Sequence, residues 1–403
     1  MKLHGVAGSA GRQWRTAVAA LVAASVLFSA GCSGESKPGS PSSPAGSQSP
    51  SASAAPQPSL STVAITKPAA DATGVVASTE IAYKSEDPAN TSVAVKDAEG
   101  KEVKGTLDKD AKVFRPAKAL GWGKKYTVTV TGSGSATSSF TVMKKPSKLV
   151  RIVSHLSDGQ TVGVGMPLFI NFEREIPKKY RAEVQRRMQV TATPAQEGIW
   201  HWISGKEVHY RPKVYWKPYT KISYRIQLAG VPMGDGWYGR SDYTVDVKVG
   251  RSFVMTVDNK SKHMTVKRDG KTVKRLAVSL GKPGFPTVGG TMLVVNKLRK
   301  TRFNTIGRFT GDDAYDVEVE YAQRLTWGGQ FIHAAPWSAW AQGRTNVSHG
   351  CINVSQNMGA WLFENTLMGD PVTITGTEEH IQQGDGWTDW NLSWAQWKKG
   401  SAL

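Results

Sequence analysis

Cysteine is scarce in this 403-residue sequence, which contains only Cys32 and Cys351. Two cysteines cannot build the disulfide framework of small exported scaffolds, so that class is excluded. Cys32 lies at the end of an N-terminal export signal and is expected to be used there, which leaves Cys351 as a free thiol. A free thiol outside the cytoplasm is exposed to oxidation, so we expect Cys351 to be present for its chemistry.

Long apolar runs are also scarce, and the one near the N-terminus is short. It covers residues 17–28, follows a basic flank and ends just before Ser29-Ala30-Gly31-Cys32. This layout is typical of a secretory signal and is too short for a comfortable membrane span. Small residues before a cysteine resemble a bacterial lipobox, so residues 1–32 are predicted to be a signal peptide that leaves Cys32 lipidated. A soluble secreted protein is the alternative.

Residues 33–61 are almost entirely Ser, Pro, Ala, Gly and Gln. This composition cannot bury enough apolar surface to offset the entropy lost on ordering, so a disordered linker is predicted. Behind an anchored cysteine, such a linker would hold the folded domains away from the membrane and within the wall layer.

Acidic residues are outnumbered, with 32 Asp and Glu against 51 Lys and Arg and a formal charge of +19. Such a charge attracts polyanions. For an exported chain the expected partners are anionic wall polymers or lipid head groups. Nucleic acid is excluded as a partner because no basic helix or interleaved aromatic signature is present. No metal-ligand spacing and no Gly-rich phosphate loop occur, so no cofactor is predicted.

Two β-rich units are predicted after the linker, over residues 62–146 and 147–250. Short alternating runs separated by turn residues fill both, as in immunoglobulin-like sandwiches without the disulfide. Val113-Phe114-Arg115-Pro116 with Trp122 is echoed by Val208 to Pro212 with Trp216, which indicates two related modules. A helix is predicted over residues 176–188.

Residues 251–376 combine further β runs with one predicted helix over residues 354–368 and form the third unit. Residues 377–403 form a Trp-rich C-terminal subdomain. Aromatic residues at this density favour burial, so its tryptophans, with Trp337 and Trp340, are expected to pack this subdomain onto the third unit.

The segment Ser348-His349-Gly350-Cys351-Ile352-Asn353 holds the free thiol. A thiol attacks as the thiolate and needs a neighbouring base. His333, at the end of a strand-like run, is the candidate base, because 15 residues separate it from Ser348 and leave room for a loop that folds back. His349 is the second candidate histidine.

His333 and this segment resemble the active-site signature of L,D-transpeptidases, the YkuD-like family that makes 3→3 cross-links in peptidoglycan. With the export signal and the two modules, the chain is similar to the larger mycobacterial and actinobacterial members. The resemblance implies a mainly β fold: two immunoglobulin-like β-sandwich modules, a mostly β catalytic domain with one main helix, and a Trp-rich C-terminal subdomain.

The resemblance also implies roles. Cys351 would attack a donor tetrapeptide stem at diaminopimelate and release D-alanine, and an amine of a second stem would open the thioester. His333 would be general base and acid, oriented by the carbonyl of Ala334, and His349 would line the site. The amides of Gly350 and Cys351 are candidates for an oxyanion hole.

Further residues are implied to contact the substrate, and carbapenem β-lactams are implied as covalent inhibitors of Cys351. The substrate-binding candidates are Tyr315, on a flap that begins near Asn296, and Gly328, Gly329, Trp337, Ser348 and Asn353.

Three alternatives use the same residues differently. An NlpC-type hydrolase places cysteine before histidine, which is the reverse of the order here. A sortase-like enzyme needs an arginine soon after the cysteine, and none follows Cys351. The alternative from another class is a catalytically inactive wall-binding or scaffolding lipoprotein.

Overall fold

The computed structural model describes residues 63–403. The predicted signal peptide, the lipidation of Cys32 and the Ser/Pro linker therefore lie outside the described residues. Strands dominate the described part of the chain, and the expectation of a mainly β protein is confirmed. Between residues 63 and 403, no helix is both long enough and apolar enough to cross a bilayer.

The first module consists of two four-stranded sheets, with strand orders β1-β3-β6-β5 and β2-β8-β7-β4. In β7 the buried residues Tyr126, Val128 and Val130 alternate with more exposed ones, so one face of the strand covers the core between the sheets. Strands β1 to β8 are Val63–Lys67, Ala72–Val75, Ile81–Ser85, Ser92–Asp97, Gly105–Asp108, Val113–Pro116, Lys125–Thr131 and Ser135–Val142.

The second module has sheets of order β10-β12-β15-β14 and β11-β19-β16-β13, with a small third sheet β17-β18-β9. Its helix α1 spans Lys178–Arg186, inside the predicted range. Strands β9 to β19 are Leu149–Val150, Ile152–Ser154, Thr161–Val162, Leu168–Phe172, Met188–Thr193, Gly198–Trp202, Glu207–Pro212, Lys221–Ile226, Pro232–Gly234, Trp237–Gly239 and Tyr243–Val249.

The two modules share one topology. Each strand of the first module's sheets has a counterpart at the same place in the second module. The edge pairs β2–β8 and β11–β19 are both parallel, and the other equivalent pairs are antiparallel. The sequence echo falls on the equivalent strands β6 and β15, so the predicted repeat of related modules is confirmed.

The region that follows has two sheets, of order β22-β21-β20-β28-β23 and β24-β25-β26-β27. A buried apolar cluster that includes Phe253, Ile332, Ile352 and Leu362 forms its core. Strands β20 to β28 are Phe253–Asp258, His263–Arg268, Lys271–Ala277, Gly290–Leu293, Asn296–Asn304, Asp316–Arg324, Phe331–Ala334, Ile352–Val354 and Pro371–Thr375.

Helix α2, Gln356–Asn365, covers β26 from the core side. The side chain of Ser355 caps it by accepting the Met358 N–H. The helix is shorter than predicted because Val354 belongs to β27 and Thr366 is extended. Gly359 lets the helix lie close to β26, since a Cβ there would be 2.9 Å from the Cβ of Ala334.

The C-terminal segment, residues 377–403, ends on the second module, so the expectation that its tryptophans pack on the third unit is wrong for Trp390, Trp394 and Trp397. Trp387 contacts Phe169 of the second module and also Trp327 of the third unit. Trp397, in the short helix α3 (Trp394–Lys398), stacks on His201 with ring centroids 4.3 Å apart. The guanidinium of Arg211 lies over the rings of Trp390, Trp394 and Trp397. Because Ile381 packs on the core of the region before it, the segment connects that region to the second module.

A buried charge cluster binds this segment to the second module. Nδ1 of His209 lies 2.7 Å from Oδ1 of Asp389, and Nε2 lies 2.6 Å from Oε1 of Glu207. Burial alone would lower the pKa of His209, but the two carboxylates outweigh it and raise the pKa to about 9. At neutral pH the imidazole is therefore protonated and paired on both sides.

The first prediction concerns this cluster. Because the folded-state pKa of His209 lies above the ordinary value, its contribution to stability is complete below about pH 6.5 and fades as the pH rises through about 9. His209→Gln should lower the free energy of unfolding by about 3 kcal/mol at pH 6, and by clearly less at pH 10. Urea unfolding followed by tryptophan fluorescence measures both values.

The matched control for that prediction is His380→Gln, which changes an exposed histidine of the C-terminal segment and should leave stability unchanged. An equal loss for His209→Gln at the two pH values would mean that the charge of the imidazole contributes nothing.

Candidate active site

One cleft of about 440 Å³ brings together most of the residues that the sequence singled out. Seven of the predicted site residues line it, and the flap strands β24 and β25 supply its apolar wall. The lining residues are Phe303, Tyr315, Val317, Val319, His333, Trp337, Ser338, Trp340, Val347, Ser348, His349, Cys351 and Asn353.

Strand alternation decides which side chains reach this cleft. Strands β26 and β27 pair in parallel, with Ile332 opposite Ile352 and His333 opposite Asn353. The two isoleucines point into the apolar core, so the residues beside them in sequence point to the other face. Cys351, one residue before β27, therefore comes to lie on the same face as His333 and Asn353.

The ring of His333 is held in one tautomer. Its Nδ1 lies 2.9 Å from the carbonyl oxygen of Ala334, which can only accept, so Nδ1 carries the hydrogen. Nε2 is then the unprotonated nitrogen. The side chain is only 4% exposed, and burial lowers its pKa to about 4. At neutral pH His333 is an uncharged base.

Cys351 lies on the floor of the cleft with 8% of its surface exposed, packed in an apolar cluster with Val319 and Phe331. Its Sγ donates a long hydrogen bond to the carbonyl of Gly329, at 3.9 Å. Burial raises the pKa of the thiol to about 11, and the Phe331 N–H only partly opposes this. In the resting site the thiol and the imidazole are therefore both neutral at pH 7.

The loop before Cys351 is fastened by Ser348. Its Oγ donates to the carbonyl of Cys351 at 2.7 Å and accepts the Gly350 N–H at 3.2 Å. Gly350 has φ +110°, which only glycine adopts without strain. The Gly350 amide is thus engaged with Ser348 in the resting site, whereas the sequence suggested it as an oxyanion donor.

Tyr315 reaches the cleft from the flap, where the hairpin of β24 and β25 overhangs Cys351. Its ring lies 5.1 Å from that of His349. Burial raises the pKa of the Tyr315 hydroxyl, and the nearby sulfur of Cys351 adds to this effect. The structure thus places the predicted flap tyrosine in the same cleft as the thiol.

His349 lines the cleft and binds the tip of the flap. Its Nε2 lies 2.8 Å from Oδ1 of Asp313, an oxygen that also accepts from Nζ of Lys282 at 2.5 Å. These hydrogen bonds, with Lys282 the larger, hold the pKa of Asp313 below its usual range. Sequence reasoning missed Asp313 and Lys282, because nothing in their local pattern distinguishes them from ordinary surface charges.

Asn353 is buried beside His333. Its Nδ2 donates to Oγ of Ser338 at 3.1 Å. Its Oδ1 is a buried acceptor that no described residue satisfies. The amide of Asn353 is therefore only partly satisfied in the resting site.

Trp337 and Trp340 were also expected to pack the C-terminal subdomain, and this is wrong. They are 52% and 67% exposed and line the cleft. Gly328 and Gly329 lie outside the cleft lining: Gly329 touches the thiol, and the Gly328 N–H donates to Oδ1 of Asp385 at 2.6 Å.

Over residues 63–403, no group of three or more His, Cys, Asp or Glu side chains is arranged to hold a metal ion.

Comparison with known proteins gives the family. The profile of the L,D-transpeptidase catalytic domain matches residues 252–374, and that of a bacterial Ig domain matches residues 72–232. L,D-transpeptidase 2 of Mycobacterium tuberculosis is 32% identical over 339 residues, which are 82% of this chain and 83% of that protein. L,D-transpeptidase 5 of the same species is 32% identical over 351 residues, 84% and 76% of the two chains.

The chain belongs to the L,D-transpeptidase family. The resemblance drawn from the sequence and the fold class expected from it are thereby confirmed. Among solved structures, an LD transpeptidase in complex with imipenem is 28% identical, with a TM-score of 0.48, and the match covers 57% of this chain and all of that one.

The second prediction concerns the resting state of this L,D-transpeptidase. The thiolate is the form that reacts with iodoacetamide, so alkylation of Cys351 should be slow at pH 7 and rise towards pH 11. At pH 7 it should be roughly 100-fold slower than in the same chain unfolded in urea, where the thiol has its ordinary pKa. Mass spectrometry of the Cys351 peptide measures both rates, and a midpoint below pH 8 in the folded protein would contradict the neutral thiol.

Proposed function

We propose that this L,D-transpeptidase forms 3→3 cross-links between diaminopimelate residues of peptidoglycan stem peptides through a thioester on Cys351. The strongest support is the tautomer of His333: its Nδ1 is bound to the Ala334 carbonyl, and its free Nε2 shares a cleft with the only thiol of the described chain. A base without its proton beside a protonated nucleophile is the starting arrangement for general-base catalysis.

In the first half-reaction the Sγ proton of Cys351 moves to Nε2 of His333 while the sulfur attacks the donor carbonyl at the L-centre of diaminopimelate. The carbonyl becomes an oxyanion. When it re-forms, the C–N bond to D-alanine breaks and the imidazolium gives its proton to the leaving amine. The product is a thioester, with D-alanine released.

In the second half-reaction the side-chain amine of diaminopimelate on an acceptor stem attacks the thioester. His333 takes a proton from this amine, the new amide bond forms, and the C–S bond breaks. The proton then returns from His333 to the sulfur, which regenerates the neutral pair.

Because Cys351 and His333 are both neutral at rest, transfer of the thiol proton to the imidazole is unfavourable in the empty site. The gap between a thiol pKa of about 11 and an imidazole pKa of about 4 corresponds to a cost on the order of 10 kcal/mol for forming the ion pair, before the attraction between the charges is counted. A free-standing thiolate is therefore rare, and proton transfer accompanies the attack on a bound donor.

The oxyanion needs donors close to Cys351. Because the Gly350 N–H is engaged with Ser348, the amide of Cys351 itself is the better placed first donor, and the Gly350 amide can join only if that bond opens. Tyr315, from the flap, is proposed to contact the donor above the thiol.

The other site residues are proposed to bind substrate or hold the loop. Asn353 offers its unpaired Oδ1, and Trp337 offers an exposed ring near His333. Ser348 and His349 fix the loop and the flap tip, and Gly328 and Gly329 are proposed to meet the donor backbone.

The modules are proposed to act outside the cytoplasm. Residues 1–32 would direct export, Cys32 would carry a lipid anchor in the cell membrane, and residues 33–61 would be the linker. The modules at 62–146 and 147–250 would place the catalytic domain (251–376) and the C-terminal subdomain (377–403) at the wall. The charge of +19 would favour anionic wall polymers.

The third prediction tests the nucleophile. Exposure to imipenem should add the mass of the drug to Cys351, because a strained acyl group is captured by the same thiol. The adduct should be absent from Cys351→Ala. Intact-protein and peptide mass spectrometry measure it; binding to isolated cell wall with no adduct would instead indicate a scaffolding lipoprotein.

The fourth prediction tests the base. His333→Ala should reduce D-alanine release from a disaccharide-tetrapeptide by at least about 100-fold, with the fold intact by circular dichroism. Mass spectrometry of the muropeptide products identifies the bond formed. His380→Ala, an exposed histidine of the same chain, is the matched control and should retain full activity; near-normal release by His333→Ala would remove His333 from its role.

A further inference from the structure

The C-terminal segment reaches the turn that lies against the nucleophile. This turn joins β25 to β26, and its residue Gly328 donates its N–H to Oδ1 of Asp385 at 2.6 Å. Next to this contact, Trp387 and Trp327 meet edge to face with ring centroids 6.4 Å apart. Asp385 is 57 residues from Gly328 in sequence, so only the fold brings them together.

The following residue of the turn holds the thiol. Gly329 has φ +102°, a conformation that favours glycine, and its carbonyl accepts the Sγ hydrogen at 3.9 Å. The position of the turn therefore determines where the sulfur's hydrogen points. A shift of the turn by a fraction of an ångström would break so long a bond.

Asp385 is itself held in place from both sides. Its own N–H donates to the carbonyl of Gln382 at 3.1 Å, and the Gly384 N–H donates to Oγ1 of Thr388 at 2.9 Å. Asp389, the residue after Thr388, is paired with the buried His209 of the second module at 2.7 Å. The backbone at Asp385 is thus held in place, and its carboxylate can in turn hold the turn between β25 and β26.

We propose that Asp385 is a positioning residue for Cys351: its carboxylate fixes the Gly328 amide so that the Gly329 carbonyl holds and orients the thiol. This inference rests on the proposed role of Cys351 as nucleophile. A hydrogen bond donated by the neutral thiol favours the protonated form over the thiolate. The same bond sets the direction from which the sulfur meets the donor carbonyl.

Loss of the contact should change two readouts in opposite directions. In Asp385→Ala the turn is released, the neutral thiol loses its acceptor, and the pH midpoint for iodoacetamide alkylation of Cys351 should fall by about half a unit or more. Acylation of Cys351 by imipenem at pH 7 should nevertheless slow by about 10-fold or more, because the sulfur is no longer aligned. Because unfolding would also expose the thiol and lower its pKa, both readouts are taken on a variant whose urea-unfolding midpoint matches that of wild type.

Two further variants define the cause. Asp385→Asn keeps an oxygen that can accept the Gly328 N–H and should stay within about threefold of wild type in acylation rate. Glu378→Ala removes a carboxylate from the same segment at an exposed position away from this turn, and should behave as wild type. If Asp385→Ala fails to fold, Asp385→Ser, which is too short to reach the amide, replaces it in both assays.

The outcomes distinguish the positioning role of Asp385 from the nucleophile role of Cys351. Both readouts moving as described, with rescue by Asp385→Asn, supports the positioning role. Wild-type acylation and an unchanged midpoint in a folded Asp385→Ala or Asp385→Ser overturn it while the nucleophile role stands. An absence of any adduct on Cys351 in the wild-type chain overturns the proposed function and this inference with it.

Discussion

The parallel pairing of β26 with β27 is the constraint on which the site depends. It places His333 opposite Asn353 and brings Cys351 to the same face, while Ile332 and Ile352 are sealed in the core. A slip of either strand by one residue would exchange the two faces and bury the imidazole under α2. Backbone bonds between Asn353 and Ser279 in both directions hold the register on the open side of β27.

Burial then decides the electrostatics of the pair that this register creates. Removing the thiol and the imidazole from water disfavours both of their charged forms, which moves their pKa values apart. The resting site consequently protects the sulfur from oxidation, since the thiolate is the form that oxidises. The same apolar surroundings strengthen any charge interaction once a donor covers the cleft. One physical cause, burial, thus keeps both groups of the resting site neutral.

The strands and the active-site loop could be predicted from local sequence, because they depend on residues close together in the chain. Alternation predicted short strands in all three units, and the segment from Ser348 to Asn353 carried the thiol and the glycine that its loop requires. Helix α2 was predicted too long because periodicity alone does not show that Val354 pairs with β26 or that Thr366 is extended. The partners of His349 and Gly328 could not be found, because Asp313 and Asp385 are ordinary acids until the fold brings them near.

The tryptophans of the C-terminal segment also show what local sequence does not predict. Their density predicts burial but not the surface that buries them, and most of the tail tryptophans pack on the second module. The second module therefore also has contacts with the catalytic region. Val254 and Met368 of the catalytic region also pack on the second module's core, and the Gly163 N–H donates to the Met368 carbonyl at 2.8 Å. Because the second module completes the burial of the catalytic region and its tail, it is part of the catalytic fold.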